Sequence, residues 1–408
     1  MVVPGSTVIR RKAIDVDLEF SEDQEELRQS VRAFLRAECP TEMVRKIVET
    51  GDSSAADDLW RAMVSLDWPG LSIPEEFGGV GLGFVECAVV AEELGAVIAP
   101  GPYFSTVTQF AAVVRELGTK SQKNQFIKSV LLGEITGTLA VADHPRSWWG
   151  SQTKDSTTQA QLVSGRWILN GAKHAVMGGS RGSGSPEGSS GVGADEVAVV
   201  AASEGGVGVF VVPSEEIAWT QVRSLDASRD LYELKLDSVE VTQDRVLGDP
   251  GSSEVEEGLK RTVQEATVAL ALETIGTCQA LFDLTLQYAK DRHQFGVPIG
   301  SFQAVKHKMA DLFVALERAR SLGYYAVAAI AEDDPARSLA TSMAKAAADD
   351  CQRIVCQESI QTFGGIGFTW EHDAHLYVKR AKSSGTLFGS TLDHRQRIAE
   401  ILNVVSVG

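Results

Sequence analysis

The stretch Tyr288–Gln303, YAKDRHQFGVPIGSFQ, joins two segments whose apolar residues recur at helical spacing. One segment runs from Thr262 to Tyr288 and the other from Phe302 to Leu322. The apolar residues that share one face of the second segment are Phe302, Val305, Met309, Leu312, Leu316 and Ala319. Recurrence every three or four residues predicts an amphipathic helix in each segment. The sequence GVPIG at 296–300 predicts a helix stop followed by a restart.

Three side chains at this predicted corner, Arg292, Gln294 and Phe295, suit a nucleotide. The planar guanidinium group of arginine pairs with a diphosphate, and a phenyl ring can cover a base. The same three residues also fit a helix-capping arginine and a core phenylalanine. The pattern of the whole stretch is what distinguishes the two interpretations.

The pattern R-x-Q-F-G-x-P-I-x-x-F-Q over residues 292–303 resembles the hallmark of the acyl-CoA dehydrogenase family. A second block, Gln361–Phe368 with the sequence QTFGGIGF, is similar to the family's Q-x-x-G-G-x-G-aromatic motif. A glycine helix cap explains one of these glycines but explains Gly-Gly-x-Gly less well, and glycines also let a ligand approach the backbone closely. The resemblance implies that both blocks contact FAD across a subunit boundary.

The resemblance transfers cofactor-binding roles to individual positions of this chain. The corner residues would hold the pyrophosphate and adenine of FAD, and the glycine block would meet the pyrophosphate of FAD in the neighbouring subunit. The candidate cofactor-binding residues are Arg292, Gln294, Phe295, Gln303, Gln361, Gly364, Gly365 and Thr391. A site shared in this way implies an oligomer, either a homotetramer or an α2β2 heterotetramer with a sister dehydrogenase.

Composition sets the broad class of the protein. Its 408 residues suffice for two or three packed units, and 44% hydrophobic with 23% charged residues is an ordinary globular composition. No apolar run reaches membrane-spanning length, and a formal charge of −17 disfavours nucleic acid and anionic membranes as partners. Five scattered cysteines without metal-ligand spacing predict reduced, mostly buried thiols in a cytoplasmic protein, and we expect no metal site.

The order of predicted elements divides the chain into four parts. Residues 1–15 are predicted to be disordered, 16–135 to form a helical domain, 136–250 a β domain and 251–408 a C-terminal four-helix bundle. Within the β domain, the glycine- and serine-rich segment 178–193 is predicted to be a flexible surface insertion. Helices, short strands and helices in this order match the acyl-CoA dehydrogenase fold, and the resemblance covers nearly the whole chain.

Local signals predict individual boundaries within these parts. Ser21 followed by Gln24 predicts a capped helix start. Ser164–Gly165 between two apolar runs predicts a hairpin turn, and Asn170–Gly171 predicts a second turn. Several short strands at this spacing predict a small antiparallel barrel or sandwich.

The chain departs from the family where the flavin ring would lie. The family's N-G-x-K-x-W-I-T/S segment supplies a tryptophan that stacks on the flavin and a hydroxyl that can face its N5 atom. Aligned with that segment, this chain has Ala175 and Met177. Trp148 or Trp149 could cover the ring instead, or could be ordinary surface or core aromatics. How the ring is held therefore stays open.

The catalytic base is the second departure. The family's reaction removes a proton beside the thioester carbonyl, which requires a carboxylate. Most members carry a glutamate in an aromatic-E-G-T motif, where this chain has Gly389. A branched-chain subset has its glutamate at the position of Ala266; Glu265 is adjacent but rotated by about 100° on a helix, and a solvated glutamate is the alternative. Glu273, in an apolar stretch, is the second candidate, with a structural hydrogen bond as its alternative.

Two functions are consistent with this sequence. The block Trp370–Arg380 resembles a group of actinobacterial acyl-CoA dehydrogenases in which some members pair with a catalytic sister, often for sterols or other bulky acyl groups. One function is FAD-dependent α,β-dehydrogenation of a fatty, sterol side-chain or other bulky acyl-CoA, with an electron-transfer flavoprotein as acceptor. The alternative is a non-catalytic or FAD-sharing partner subunit, which the losses at Ala175, Met177 and Gly389 favour.

Overall fold

The computed structural model describes residues 20–144, 156–178 and 193–404. The helices are α1 (Glu22–Glu38), α2 (Thr41–Thr50), α3 (Ser54–Ser65), α4 (Phe84–Ala96), α5 (Tyr103–Ser105), α6 (Ala112–Leu117), α7 (Lys120–Gln122), α8 (Lys128–Leu131), α9 (Ser253–Asp291), α10 (Gln303–Ala331), α11 (Arg337–Phe363), α12 (Ala374–Ser384) and α13 (Thr391–Ile401). The strands are β1 (Gly137–Ala140), β2 (Gln159–Val163), β3 (Arg166–Met177), β4 (Glu196–Ser203), β5 (Gly206–Pro213), β6 (Ala218–Val222), β7 (Leu231–Val241), β8 (Val246–Leu247), β9 (His293–Gln294) and β10 (Val297–Pro298). The predicted disordered residues 1–15 and almost all of the predicted insertion 178–193 lie outside the described residues.

The N-terminal part is helical, and its first boundary agrees with the prediction. The Gln24 amide donates to the Ser21 hydroxyl at 3.2 Å, and the Ser21 amide donates to the Gln24 side chain at 3.1 Å, which completes a capping box. Only two residues lie between the end of α1 and the start of α2. Pro40 occupies the N-cap of α2, so the proline that follows one helix also precedes the next.

The middle part is an eight-stranded sheet with the order β6-β7-β3-β2-β4-β5-β8, and β1 also pairs with β4. The expectation of purely antiparallel pairing is wrong in two places, since β1 and β2 both run parallel to β4. Alternate residues of the strands enter two cores: Val209 and Val211 contact the helical core, whereas Phe210 and Val212 belong to a second core. Because the second core consists of residues from the sheet and its connections, the sheet curls over it.

The predicted hairpin and the predicted second turn have different outcomes. The turn at Ser164–Gly165 is confirmed, with φ of 51° and 82° joining β2 to β3. The turn at Asn170–Gly171 is wrong, because both residues lie inside β3 at a shift in its register with β7. A Cβ at Gly171 would lie 2.6 Å from Cα of Thr158. The glycine therefore permits close approach of a neighbouring segment and does not reverse the chain.

The C-terminal part is built around α9, which packs against α4, α10 and α11. By length and composition α9 could span a membrane, but 78% of its most apolar window is buried inside the protein, so it is the central core helix. A Cβ at Gly95 would overlap the backbone oxygen of Glu273, and a Cβ at Gly276 would overlap that of Glu92. These two glycines therefore allow α4 and α9 to touch through their backbones, and they fix the depth of Glu273 in the molecule.

Candidate active site

The corner after α9 is a tight hairpin that presents an aromatic ring to solvent. Gln294 pairs with Val297 across strands β9 and β10, so Phe295 and Gly296 form its two-residue turn, with φ of 56° and 80°. Positive φ at both positions is the type I′ geometry, which strains a bulky residue such as phenylalanine. The Phe295 side chain is 92% exposed, which rules out the alternative of a core phenylalanine. Strain held at an exposed aromatic residue is typical of a binding site.

The neighbouring Arg292 is exposed as well. Its backbone amide donates to the Tyr288 carbonyl at 2.8 Å, which ends the helix. Among the described residues, no ion pair or hydrogen bond engages the guanidinium group of Arg292. A free planar cation next to an exposed ring fits a diphosphate attached to a base.

The glycine turn after α11 has a backbone that requires glycine. Gly364 has φ of 63° and ψ of −137°, a region that residues with a Cβ rarely enter. Its amide donates to the Ile360 carbonyl, so it also caps α11. A Cβ at Gly364 or Gly365 would meet no atom within 4 Å. The space in front of this turn is therefore open, and a ligand can reach its backbone.

The corner and the glycine turn are neighbours within one protomer. The rings of Tyr288 and Phe363 are 5.1 Å apart, and the Tyr288 hydroxyl lies 3.4 Å from the Phe363 carbonyl oxygen. Lys308 in α10 pairs with Glu358 in α11 at 2.5 Å, which joins the helix that begins at Gln303 to the helix whose last turn holds Gln361. We call the set Arg292, Gln294, Phe295, Gln303, Gln361, Gly364 and Gly365 the dinucleotide surface; all of these residues are exposed except Gly364, which is half-buried. Its free cation, exposed ring and open glycine backbone fit the adenosine diphosphate part of FAD.

Thr391 lies apart from the dinucleotide surface. Its hydroxyl donates to the Asp349 carboxylate at 3.2 Å, and Asp349 pairs with the buried Lys345 at 2.7 Å. Asp349 precedes Gly364 by fifteen residues on α11, or about 22 Å along the helix axis. If Thr391 contacts FAD, it therefore contacts a different part of the molecule or a different copy of it.

Strand β3, where the flavin ring would lie, presents the methyl group of Ala175 and the thioether of Met177. Met177 is buried, and its sulfur accepts a hydrogen bond from Gln109 at 3.5 Å. Gln109 belongs to a π-helical turn, Thr106–Ala111, of the kind often found at functional sites. Ala175 has φ of 52° at a register shift in β3, and its methyl group cannot stack on a ring as an indole would. These two side chains do not fit the flavin ring, and Trp148 and Trp149 lie outside the described residues.

Glu265, the first candidate base, is held by arginines. Its Oε2 accepts from Arg115 at 2.6 Å, and its Oε1 lies 3.4 Å from Arg261. The Glu265 side chain is buried, and it does not line the cavity that Glu273 lines. Both of its oxygens therefore have structural partners. Gly389, at the position of the more common base, has φ of 97° and contributes no carboxylate.

Glu273, the second candidate, lines a cavity of about 1010 Å³. The cavity lies between α2, α3, α4, residues 99–104, strands β6 and β7, α9 and α12. One oxygen of Glu273 accepts from Arg229 and, at 2.7 Å, from Arg380. Arg380 also donates to Asp226 at 2.6 Å, so two arginines and two carboxylates form one buried cluster. The wall combines charged and polar side chains with apolar and aromatic ones, and the cavity is large enough to hold a small-molecule ligand.

Sequence reasoning missed the partners of Glu273. Arg229 and Arg380 lie 44 and 107 residues away from it along the chain. Arg229 belongs to no motif that we recognised, and Arg380 ends the block Trp370–Arg380, whose resemblance does not indicate a contact with Glu273. The available signal was the acid itself, because a carboxylate in an apolar helical stretch requires a cation nearby. That signal predicts a partner but does not identify it.

Comparisons with known proteins cover both helical parts of the chain. The model of the acyl-CoA dehydrogenase N-terminal domain matches residues 21–134, and that of the C-terminal domain matches residues 259–402. Acyl-CoA dehydrogenase IpdE2 of Mycolicibacterium smegmatis is 28% identical over 380 residues, covering 93% of this chain and 98% of the relative. IpdE2 of Mycobacterium tuberculosis is 29% identical over 383 residues, covering 92% and 96%.

Solved structures show the same fold. The Tcur3481-Tcur3483 steroid acyl-CoA dehydrogenase has a TM-score of 0.80 and 27% identity, covering 94% of this chain and 98% of its own. The ChsE4-ChsE5 complex of Mycobacterium tuberculosis has a TM-score of 0.83 and 24% identity, covering 96% and 100%. A glutaryl-CoA dehydrogenase of Mycobacterium smegmatis in complex with FADH2 has a TM-score of 0.81 and 20% identity, covering 96% and 97%. With both domain models matched and the three-part fold in place, the chain belongs to the acyl-CoA dehydrogenase family, whose members are oxidoreductases acting on CH–CH groups.

Proposed function

We propose that this chain acts in the FAD-dependent α,β-dehydrogenation of an acyl-CoA thioester. The observation that carries the proposal is that one chain combines an exposed dinucleotide surface with a cavity of about 1010 Å³, a volume that accommodates a bulky acyl group. When bound, FAD supplies the hydride acceptor for the β-carbon of the acyl group. The chain's own residues would bind the adenosine diphosphate at Arg292, Phe295 and Gly364, and would enclose the acyl group beside Glu273.

We propose that the chain works in an oligomer. The dinucleotide surface points outward, so it can serve a flavin held mainly by a neighbouring subunit. Helix α10 also exposes the apolar side chains of Phe313 and Val314, and the residue before the helix, Phe302, is exposed as well. Exposed apolar side chains of this kind are typical of a subunit contact. A homotetramer and an α2β2 heterotetramer both place such a face against another subunit. The proposed electron acceptor is an electron-transfer flavoprotein, by family resemblance.

We propose a cytoplasmic location. The five cysteines are free and buried, as predicted. Cys278 and Cys351 are neighbours in the core, and both are free thiols. Neighbouring thiols that remain reduced are typical of a reducing compartment.

A second candidate function is a partner subunit that shares FAD with a catalytic sister chain. Specific observations favour it: Gly389 replaces the common base, both oxygens of Glu265 are held by arginines, and Met177 stands where the family has a hydroxyl. In this arrangement the chain supplies the dinucleotide surface to the flavin of its sister. The dehydrogenation would then occur at a carboxylate of the sister subunit.

A co-expression experiment distinguishes the two candidates. The chain would be purified alone and together with a neighbouring dehydrogenase, and the visible spectrum of each preparation would be recorded before and after acyl-CoA is added. A yellow protein that acyl-CoA bleaches without a partner supports the dehydrogenase. Colour and bleaching only in the co-expressed assembly support the partner subunit. An assembly that binds no FAD under either condition would contradict both.

The Glu265→Gln variant tests the first candidate base in whichever preparation is active. If Glu265 removes the proton, the variant keeps FAD but acyl-CoA no longer bleaches it. If Glu265 only holds Arg115 and Arg261 in place, bleaching persists and the midpoint of thermal unfolding falls. The arginine contacts on both oxygens favour the second result.

A further inference from the structure

A layer of side chains separates the cavity from the two positions that align with a catalytic glutamate in the family. Those positions are Ala266 and Gly389, and among the described residues the cavity lining includes neither of them. Ala266 is completely buried, and Phe388, the residue before Gly389, is 1% exposed. An acyl group whose thioester lies near Gly389 therefore reaches the cavity only through this layer.

Phe104 is the side chain that contacts both sides of the layer. It lines the cavity and is 9% exposed. Its ring also packs edge-on against the ring of Phe388, with 6.3 Å between the ring centres. The guanidinium group of Arg229 lies 5.5 Å from the centre of the Phe104 ring. Phe104 therefore lies between the cavity and the residue next to Gly389, with Arg229 beside it.

The neighbours of Phe104 are held more firmly than the Phe104 ring. Arg229 donates to Glu273 and, at 3.2 Å, to the Ser384 hydroxyl, so a buried ion pair and a hydrogen bond fix its position. Phe388 is buried with φ of 56°, a backbone conformation that a bulky residue keeps only when its surroundings impose it. The Phe104 ring has no polar atom, and each of its two ring contacts is weak. It is therefore the member of the layer that a guest displaces most easily.

The cavity has room for a displaced Phe104 ring. The Thr108 hydroxyl donates to the Phe104 carbonyl at 2.6 Å, which holds the backbone at this position. Displacement is therefore a rotation of the Phe104 side chain, and the cavity of about 1010 Å³ beside it can receive the ring. Such a rotation joins the cavity to the space next to Phe388.

We propose that Phe104 is a specificity-determining gate between the reaction position and the cavity. A short acyl group ends at the closed ring, whereas a bulky apolar acyl group turns the ring aside and places its far end in the cavity. That end then contacts apolar and aromatic side chains such as Leu94 and Trp219. This inference rests on the proposed function, because it takes the thioester to lie near Gly389.

The test measures the binding of two thioesters by isothermal titration calorimetry with the full-length protein, in its co-expressed assembly if one is required. Butanoyl-CoA has a short linear acyl group, and decahydronaphthalenepropanoyl-CoA has a bulky bicyclic one. Phe104→Ala leaves no ring to displace, so the bicyclic thioester should bind about tenfold more tightly than it binds the wild type. Butanoyl-CoA should bind no more tightly than before, because its acyl group ends before the gate.

Two further variants assign the effect to the ring. Phe104→Leu retains a shorter apolar side chain, so it should give an intermediate gain, and it becomes the decisive variant if Phe104→Ala does not fold. The matched control is Leu94→Ala, since Leu94 lines the same cavity and is 7% exposed. Its removal enlarges the cavity but leaves the Phe104 ring against Phe388. The control should therefore bind the bicyclic thioester within about twofold of the wild type.

The outcomes separate this inference from the proposed function. If the Phe104 variants keep the wild-type ratio of the two affinities to within about twofold, the inference is wrong while the proposed function stands. If Leu94→Ala raises the affinity for the bicyclic thioester as much as Phe104→Ala does, the effect is one of cavity volume, and the inference is again wrong. If neither thioester binds to the wild-type assembly, the proposed function fails and the inference fails with it.

Discussion

Replacing Gly364 by alanine is the sharpest test of the dinucleotide surface. The backbone at this position has φ of 63° and ψ of −137°, and a residue with a Cβ held there is strained by about 1–3 kcal/mol. No neighbouring atom lies within 4 Å of the added methyl group, so the whole effect comes from the backbone. In the variant, the backbone at position 364 can move into the open space in front of the turn. That movement relieves the strain but removes the backbone conformation that would face a ligand.

The expected loss appears in cofactor affinity. If the variant must regain the strained conformation to hold FAD, a strain of about 1–3 kcal/mol weakens binding by roughly 5-fold to 150-fold. The assay is a titration of the apoprotein assembly with FAD, followed by calorimetry or by quenching of flavin fluorescence. Urea unfolding of the same preparation measures how much the backbone strain lowers the free energy of unfolding of the whole protein.

Gly365→Ala is the matched control, because it adds the same methyl group one residue later. Gly365 has no positive φ, and its Cβ would also lie in open space, so the free energy of unfolding should change by less than about 0.5 kcal/mol. A loss of FAD affinity in this control would show that the ligand approaches the backbone too closely for a methyl group. The reasoning is refuted if Gly364→Ala binds FAD within about twofold of the wild type, a difference of roughly 0.4 kcal/mol.

Three further predictions concern affinity, packing and pH. Arg292→Lys keeps the charge but loses the planar fork, so FAD binding should weaken by about tenfold in the same titration with thermal stability unchanged. Gly276→Ala should lower the free energy of unfolding by about 1–3 kcal/mol, since its methyl group would overlap the backbone oxygen of Glu92. The control is Gly323→Ala, whose methyl group would meet mainly the flexible ends of side chains, so its free energy of unfolding in urea should fall by less. Burial lowers the pKa of His394 from near 6.5 to about 3. Between these two pKa values His394 is protonated in the unfolded chain but not in the folded chain. The free energy of unfolding should therefore fall by about 1.4 kcal/mol per pH unit as the pH drops from 6.5 towards 3. His394→Gln should reduce that slope, and an unchanged slope would assign it to other groups.

Local signals in the sequence were sufficient where neighbouring residues decide the structure. The capping box at Ser21 and the hairpin turn at Ser164–Gly165 each depend on a few adjacent residues, and both predictions are confirmed. The turn predicted at Asn170–Gly171 is wrong because Gly171 is required for the close approach of a distant residue, Thr158, and not for a chain reversal. Tertiary contact overrode a strong local preference at that position.

The candidate site divides in the same way. The dinucleotide surface could be anticipated because its residues fall in two short motifs at helix ends, and helix ends are set by local sequence. The cluster around Glu273 could not, because Asp226, Arg229 and Arg380 reach it from the sheet connection and from α12. Nothing in periodicity or spacing encodes which distant cation compensates a buried acid.

Helix α9 is one uninterrupted element that carries Glu273 near its middle and ends beside Arg292. The two positions are nineteen residues, or about 28 Å, apart along the axis, so a single subunit contributes to two separate compartments. Consider a homo-oligomer in which Arg292 binds the flavin of the neighbouring subunit. A variant altered at Glu273 and a variant altered at Arg292 would then complement each other. A cell making both Glu273→Gln and Arg292→Ala chains would then regain some fully intact centres, whereas either allele alone would yield none.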